Sequence, residues 1–265
     1  MSDMFDFGSG LVPAHKHANG GGWVAETALV ADSAYVGPAA RVYDNARVYG
    51  GARVSGNAQV YGNAWVSDNA QVSGNARVYG NAQVSDKVWV SGNVEVSGDA
   101  RVYGGARVSG NAQVYGDAWV SDNAQVYGKA WVSDKAWVYG NARAYDNARV
   151  YDRAQVCDRA QVYGNAQVYG NAWVYDNAWV YGNAQVCGNA QVYGNVQVCG
   201  IPRSDGHFFS AFYCQDGLYR VAAGCRYLTW AEAEEHWGNP KYYSPALARE
   251  TKAILALLKI QTGQD

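Results

Sequence analysis

The sequence predicts an all-β solenoid, and three observations lead to this prediction. Val occupies position 24 and every sixth position up to 198, with Ala144 as the exception. Ala stands two residues before almost every one of these Val residues. A Gly or Asp, usually followed by Asn, closes almost every hexad. A short, fixed period is typical of solenoids, in which each unit buries its apolar face against its neighbours.

Each hexad is predicted to form one short strand and one corner. Side chains two residues apart in an extended segment lie on the same side, so Ala58 and Val60 share an inner face. The outer face carries an x position before Val, mostly Arg, Gln or Trp, and a y position after it, mostly Tyr or Ser. Gly or Asp then tolerates the backbone of a tight corner. A period of six does not fit the 3.6 residues of a helical turn. A stack of hairpins would invert its sidedness at every turn, which the uniform corner argues against.

The pattern resembles the hexapeptide-repeat family, in which a small residue follows an aliphatic one four positions later. Val60 with Ala64, and Val66 with Ala70, are examples, and the resemblance covers roughly residues 22–199. It implies a left-handed parallel β-helix with three hexads per coil. Thirty hexads then give about ten coils, a column roughly 45–50 Å long at a strand spacing of about 4.8 Å.

Residues eighteen positions apart should then lie above one another. One corner is expected to stack amide side chains into a ladder, at Asn57, Asn75, Asn93, Asn111, Lys129, Asn147, Asn165 and Asn183. A serine–tyrosine face, named for its y positions, carries Ser55, Ser73, Ser91 and Ser109 followed by Tyr127, Tyr145, Tyr163 and Tyr181. An arginine–tyrosine face carries Arg41, Arg77 and Arg149 with Tyr43, Tyr61, Tyr79, Tyr151 and Tyr169.

The third face, the tryptophan face, is the predicted protein-interaction surface. Its candidate residues are Trp65, Trp119, Trp137, Trp173, Tyr139, Tyr175 and Tyr193, with Tyr103 beside them. Eight of the ten Trp and sixteen of the 21 Tyr residues fall in outer positions of the repeat, which is more aromatic surface than a monomer usually exposes. Stacking between neighbouring coils would stabilise the sheet without a partner. The alternative is an interface, because Trp, Tyr and Arg are enriched at binding hot spots.

The chain is predicted to have three parts: an irregular segment at 1–21, the β-helix at 22–199 and a small ββαα module at 200–265. Trp23 is expected to cap the open end of the core. In the module, residues 207–223 predict two strands that turn at Asp216 and Gly217. A capping box at Thr229 opens a first helix, and Ser244 and Pro245 start a second. The apolar stripe of that second helix is expected to pack into a core.

The resemblance makes an acyltransferase the first enzyme to consider, because such enzymes use a His base on the β-helix. The four His residues stand at 15, 17, 207 and 236, outside the coils. His15 and His17 could reach one metal ion, but a His-x-His near a chain end is usually solvent-exposed. Cys157, Cys187 and Cys199 fall on three different faces. We therefore predict no catalytic residues, no cofactor, no metal site and no enzymatic activity.

The charge balance argues against several partners. With 21 Lys and Arg against 23 Asp and Glu, the chain lacks the basic excess of a nucleic-acid-binding protein, so a nucleic-acid partner is not expected. No apolar run approaches the roughly 20 residues of a membrane span. Five Cys residues, an odd number, and no secretory pattern at the start predict a cytoplasmic location.

The Gly-Gly-Trp-Val start at 21–24 and the segment 223–229 resemble repeat proteins encoded by phages and prophages. We therefore expect a phage-encoded, rigid, non-catalytic rod in the cytoplasm of an infected or lysogenic bacterium. Its expected partner is itself, with a homotrimer as the family's common assembly, or a bacterial host protein such as a defence component. The alternatives are a virion or tail accessory protein, a small-molecule sponge and an acyltransferase-like enzyme.

Overall fold

The structure is a computed structural model that describes residues 3–214, 218–223 and 226–263. It confirms a parallel β-helix of about ten coils followed by a small strand-and-helix module. Each coil strand pairs in parallel with the strand eighteen residues later, as Trp65 with Gln83 and Val66 with Val84. The predicted coil of three hexads is therefore confirmed.

The coil strands form three sheets, one for each face. The strands of the arginine–tyrosine face are Trp23–Ala25, Arg41–Val42, Gln59–Val60, Arg77–Val78, Glu95–Val96, Gln113–Val114, Trp131–Val132, Arg149–Val150, Gln167–Val168 and Gln185–Val186. Those of the tryptophan face are Leu29–Val30, Arg47–Val48, Trp65–Val66, Gln83–Val84, Arg101–Val102, Trp119–Val120, Trp137–Val138, Gln155–Val156, Trp173–Val174 and Gln191–Val192. Those of the serine–tyrosine face are Tyr35–Val36, Arg53–Val54, Gln71–Val72, Trp89–Gly92, Arg107–Gly110, Gln125–Val126, Arg143–Ala144, Gln161–Val162, Trp179–Tyr181 and Gln197–Cys199.

The interior of the coils is a column of Val and Ala side chains. The members of the repeat from Ala34 to Val192 are fully buried. Burying one Val side chain is worth roughly 1.5 kcal/mol or more, so the repeated layers supply the main stabilisation of the coils. The x and y positions are thereby fixed on the outside, where they form straight columns.

The corners explain why Asp shares a position with Gly. Nine Asp residues of the described chain have a positive φ, and all occupy this position: Asp44, Asp68, Asp86, Asp122, Asp134, Asp146, Asp152, Asp158 and Asp176. Their carboxylates accept hydrogen bonds from the backbone N–H eighteen residues later, as at Gly104 on Asp86 and Gly170 on Asp152, both 2.9 Å. Asp therefore offsets the cost of the left-handed conformation with a contact between coils.

The predicted amide ladder is present at the next corner position. Asn57 donates to Asn75 over 3.1 Å, Asn75 to Asn93 over 2.8 Å, and Asn93 to Asn111 over 2.9 Å. Asn165 donates to Asn183 over 3.2 Å. Lys129 interrupts the column between these two runs, as the sequence indicates.

The N-terminal segment is not irregular, which corrects the prediction for residues 1–21. Strands Asp3–Asp6 and Leu11–Lys16 pair antiparallel, and the second pairs antiparallel with Trp23–Ala25. The Asp6 carboxylate accepts from the N–H groups of Gly8 and Gly10 at 2.7 and 3.0 Å, which stabilises the turn. The ring of Trp23 stacks on Phe5 with centroids 4.4 Å apart. Trp23 therefore packs under the hairpin and does not cap the core, because it occupies an outward x position.

The C-terminal module contains a four-stranded antiparallel sheet and two helices. The two predicted strands are Phe208–Tyr213 and Tyr219–Ala223, and two further strands, Ile201–Pro202 and Arg226–Thr229, flank them. Helix α1 spans Trp230–Trp237 with the predicted capping box, and α2 spans Pro245–Thr262 with Ser244 as N-cap. The predicted turn at Asp216 and Gly217 lies outside the described residues. Neither described helix is long and apolar enough to cross a membrane.

The module covers the C-terminal end of the β-helix core. Phe212 and Ala222 are fully buried and belong to the same apolar cluster as the coil Val residues. The opposite side of the sheet packs on α2, where Phe209 joins Leu255 and Leu258. The apolar stripe of α2 is therefore core, as predicted.

Candidate binding face

The tryptophan face exposes large aromatic side chains on a regular frame. Trp65 is 43% exposed, Trp137 40% and Trp173 42%, while Trp119 is half-buried. All four occupy x positions of one parallel sheet, so their Cα atoms lie on one straight column. The y positions of the same strands form a second column beside them.

The structure brings only two of the four predicted Trp residues together. The rings of Trp119 and Trp137 stack with centroids 4.9 Å apart and planes 3° from parallel. The guanidinium of Arg101 covers the other side of Trp119, 5.1 Å from its centroid. Trp65 is separated from Trp119 by two intervening coils, those of Gln83 and Arg101, and Trp173 lies between Gln155 and Gln191.

The predicted Tyr residues divide into two groups. Tyr175 and Tyr193 stack on each other with centroids 5.2 Å apart. Tyr139 lies edge-on to Trp137 at 6.5 Å, and its hydroxyl donates to Gln155 Oε1 over 3.4 Å. Burial raises the pKa of Tyr139, and the neighbouring Cys157 thiol adds to this shift. Tyr139 is therefore held neutral and fixed in place beside the Trp pair.

A cavity of 250 Å³ opens between the Trp pair and the y column. Its lining residues are Tyr103, Trp119, Ser121, Asp122, Trp137 and Tyr139. The cavity exists because Ser121 stands between Tyr103 and Tyr139 in the y column, where a third Tyr would fill the space. The sequence interpretation missed Ser121 and Asp122 as site residues. The signal was available, since the y positions read Tyr, Ser, Tyr at intervals of eighteen residues.

A second cavity on the arginine–tyrosine face repeats this arrangement in 200 Å³. Its lining residues are Tyr115, Trp131, Ser133, Asp134, Arg149 and Tyr151. Each stands twelve residues after its counterpart in the first cavity, and Arg149 takes the place of Trp137. The guanidinium of Arg149 lies 4.8 Å from the centroid of Trp131.

A polar groove of 550 Å³ follows the corner between the tryptophan and serine–tyrosine faces. Its lining residues are Asn141, Arg143, Arg159, Gln161, Asn177, Trp179, Asn195 and Gln197. Amide and guanidinium groups dominate it, so it offers hydrogen bonds and positive charge with a single aromatic ring. The groove does not include the predicted interface residues.

The His15, His17, Cys157 and Cys187 side chains lie in different parts of the structure and do not form a common cluster. His15 is exposed as expected, and its Nδ1 lies 3.0 Å from Glu26 Oε1. His17 is buried, contrary to the expectation, and its Nδ1 lies 3.3 Å from the carbonyl of Asn19. Cys157 and Cys187 are buried, and burial raises the pKa of the Cys157 thiol to about 11. Among the described residues, no group of three or more His, Cys, Asp or Glu side chains is placed to hold a metal ion.

The repeat is similar to that of known proteins. A family model described as the YdcK beta-solenoid repeat matches residues 40–56, 52–68, 58–74, 70–86, 96–110, 106–122, 112–128, 160–174, 166–182 and 184–200. No curated protein matches the chain. LpxA from Acinetobacter baumannii is similar at 13% identity, over 69% of this chain and 74% of that one, with a TM-score of 0.42. The UDP-N-acetylglucosamine acyltransferases of Francisella novicida and Campylobacter jejuni are similar at 15% and 12% identity, with TM-scores of 0.33 and 0.27. They cover 89% and 91% of this chain, and 76% and 88% of their own lengths.

Proposed function

We propose that this β-helix repeat protein is a rigid, non-catalytic rod that holds a protein partner on its tryptophan face. The observation that carries the proposal is the stacked pair of Trp119 and Trp137, which lies beside an aromatic cavity on one parallel sheet. Trp and Tyr side chains bury a large area with few rotatable bonds, which makes them the usual anchors of protein interfaces.

The face is organised before any partner arrives. Trp119 is held between Arg101 and Trp137, and Tyr139 is tied to Gln155. Side chains that are already ordered lose little entropy on binding, so more of the contact energy contributes to affinity. The fully buried Val and Ala core beneath keeps the columns in register.

Stacking within the sheet explains the Tyr columns better than the Trp residues. Tyr127, Tyr145 and Tyr163 form a continuous stack with 4.9 Å between successive centroids. Trp65 lies between Arg47 and Gln83, and Trp173 lies between Gln155 and Gln191, so neither stacks on a ring in its own column. Both remain more than two-fifths exposed. A partner would bury rings that the sheet itself leaves in water.

Affinity capture from bacterial lysate with face-specific variants tests the proposal. Gln is common at x positions, so Trp→Gln changes should keep the fold. The wild type and the control Trp131→Gln/Trp179→Gln should recover a stoichiometric protein, and Trp119→Gln/Trp137→Gln should lose it. The control rings are 38% and 39% exposed on the two other faces. Equal recovery by both double variants, or recovery of the chain alone by all, would overturn the proposal.

We further propose a setting for this interaction. The start at 21–24 and the segment 223–229 resemble phage and prophage repeat proteins, which supports a phage-encoded protein acting in the cytoplasm of its bacterial host. The partner would then be a host protein. Identification of the captured protein by mass spectrometry tests this. A virion or tail protein as the partner would instead indicate an accessory protein of the phage particle.

Acyl transfer is the enzymatic alternative, and the names of the similar solved structures suggest the reaction to assay. The chain has no His residue between 18 and 206, so the coils offer no imidazole base. We expect no turnover of acyl-CoA or acyl carrier protein with UDP-N-acetylglucosamine above the background rate. Turnover that a single substitution abolishes would show that the protein is an enzyme.

A further inference from the structure

We propose that the cavity at Ser121 is an arginine pocket, which takes the guanidinium group of an arginine side chain on the partner protein. This inference rests on the proposed function and names the partner chemistry that the tryptophan face selects. It is drawn from the walls of the cavity, its polar floor and the second cavity on the neighbouring face.

The walls suit a planar cation. Tyr103 lies edge-on to Trp119 at 6.2 Å, and Tyr139 lies edge-on to Trp137, so four aromatic rings surround the space. Tyr103 and Tyr139 stand two coils apart, and stacked rings in adjacent coils are 4.9 Å apart, as at Tyr127 and Tyr145. One planar group between them would restore the interrupted column. A guanidinium is planar and stacks on aromatic faces.

The floor carries an unpaired hydroxyl. Ser121 is 6% exposed and lines the cavity. The equivalent hydroxyls of Ser67 and Ser133 donate to the Asp residue that follows each, over 2.9 and 3.1 Å. Within the part of the chain that the structure describes, the Ser121 hydroxyl makes no such bond. The Ser121 oxygen is therefore available to accept a hydrogen bond from a donor that enters the cavity.

Asp122 is the charged side chain among the residues that line the cavity, and its carboxylate is only partly used. Asp122 Oδ2 accepts from the backbone N–H of Gly140 over 3.1 Å, which leaves Oδ1 available. A guanidinium has five N–H donors and no acceptor, so it can bond to both Asp122 and the Ser121 oxygen. An anionic group would be repelled by Asp122, and a phenyl ring would leave both polar groups unpaired.

The second cavity shows the same set of groups together with an arginine. There Arg149 lies against Trp131 in a cavity that Asp134 and Ser133 also line. The first cavity keeps the Ser, the Asp and the two Tyr residues, but it has Trp137 where Arg149 stands. The second cavity thus shows that a guanidinium is accommodated beside the same Ser, Asp and Tyr groups.

The test is a titration of the purified full chain with N-acetyl-arginine amide at constant ionic strength, followed by the indole N–H signals in NMR spectra. Trp119→Gln and Trp137→Gln assign the two signals. We expect saturable shifts of both signals at millimolar concentration. N-acetyl-citrulline amide, which is neutral and of the same shape, should bind at least tenfold more weakly, because it lacks the charge that pairs with Asp122.

Two variants locate the binding. Ser121→Tyr fills the cavity with the commonest y residue, and Asp122→Gly removes the carboxylate at a position where Gly is common, so both should fold. Each should abolish the shifts, whereas the matched changes Ser133→Tyr and Asp134→Gly should leave them. If Ser121→Tyr fails to fold, Asp122→Gly and the citrulline comparison still decide.

Equal binding of the citrulline compound or of N-acetyl-lysine amide, or shifts that persist in Asp122→Gly, would overturn the arginine pocket. This result would leave the proposed function standing if the Trp variants still lose the captured partner. Conversely, arginine binding that depends on Ser121 and Asp122 supports the pocket even where capture fails. A change in molecular mass on Ser121→Tyr, with the purified chain alone, would assign the arginine to a second copy and overturn the assignment to another protein.

Discussion

The indole rings of Trp119 and Trp137 lie 4.9 Å apart and within 3° of parallel. This contact follows from the eighteen-residue coil, because identical x residues in consecutive coils are placed one strand spacing apart. It is also the one place in the repeat where two Trp residues occupy the same column in consecutive coils. The pair therefore marks a particular position on an otherwise uniform rod.

Completing the amide ladder should stabilise the protein. Lys129→Asn would place an amide between Asn111 and Asn147 and allow two new hydrogen bonds along the column. We expect the free energy of unfolding to rise by roughly 0.5–1 kcal/mol, since the bonds are exposed. Lys129→Ala is the control, because it removes the same Lys side chain and adds no amide. Urea unfolding curves measure both, and equal effects would argue against the ladder.

The Asp residues at the corners should be replaceable by Gly but not by Ala. Asp176 has a φ of 57°, and its carboxylate accepts from the N–H of Gly194 over 3.1 Å. Asp176→Ala loses this bond and keeps a Cβ in the left-handed region, so it should cost about 1–2 kcal/mol. Asp176→Gly loses the bond but relieves the backbone, and should change stability by less than about 0.5 kcal/mol. A higher melting temperature for Asp176→Ala than for Asp176→Gly would contradict this explanation of the corner.

The C-terminal module should stabilise the coils by covering their end. Phe212 is fully buried in the coil core, whereas Phe208 on the same strand is half-buried and outside it. Phe212→Ala should cost about 3–5 kcal/mol, as expected for a large cavity in a core. Phe208→Ala should cost about 1 kcal/mol. Similar losses in the two variants would show that the module does not act as a cap.

Alkaline pH should unfold the protein through its tyrosines. Burial raises the pKa of Tyr43 and of Tyr145 to about 12 from an ordinary value of 10.0, and stacked Tyr neighbours add to both shifts. A raised folded-state pKa means that the stability is fully present below pH 10 and is lost as the pH rises toward 12. Melting temperatures should be level between pH 8 and 9 and then fall. The fall in melting temperature should be smaller in the variant Tyr145→Ser, whose new side chain is the one that Ser109 has in the same column. An unchanged fall would show that Tyr145 does not contribute to the loss of stability.

The sequence predicted the coils well because one period determines both sides of the strand. The positions of Val60 and Ala64, the ladder at Asn75 and the stacking of Tyr127 on Tyr145 all follow from intervals of six and eighteen. The caps also followed, since Thr229 and Ser244 carry local signals that do not depend on the rest of the chain.

The two ends of the chain and the cavity at Ser121 were harder to predict from the sequence. The short strands at the ends give weak sequence signals, and the cavity results from the absence of a large side chain. The hairpin at Asp3–Asp6 and Leu11–Lys16 has Gly and Pro within and between short strands, and it is stabilised by contacts such as Phe5 on Trp23 that no local pattern shows. The edge strands Ile201–Pro202 and Arg226–Thr229 are too short for alternation to be visible. The cavity at Ser121 is a missing side chain in a column, which becomes visible only when columns are compared.

The molecular mass of the purified protein, by light scattering with size-exclusion chromatography, tests most directly whether the tryptophan face is free for another protein. We predict the mass of one chain, 28.6 kDa, for the wild type and for Trp119→Gln/Trp137→Gln alike. A wild-type trimer or larger assembly that becomes a monomer in this variant would contradict the account, because the face would then be occupied by self-association.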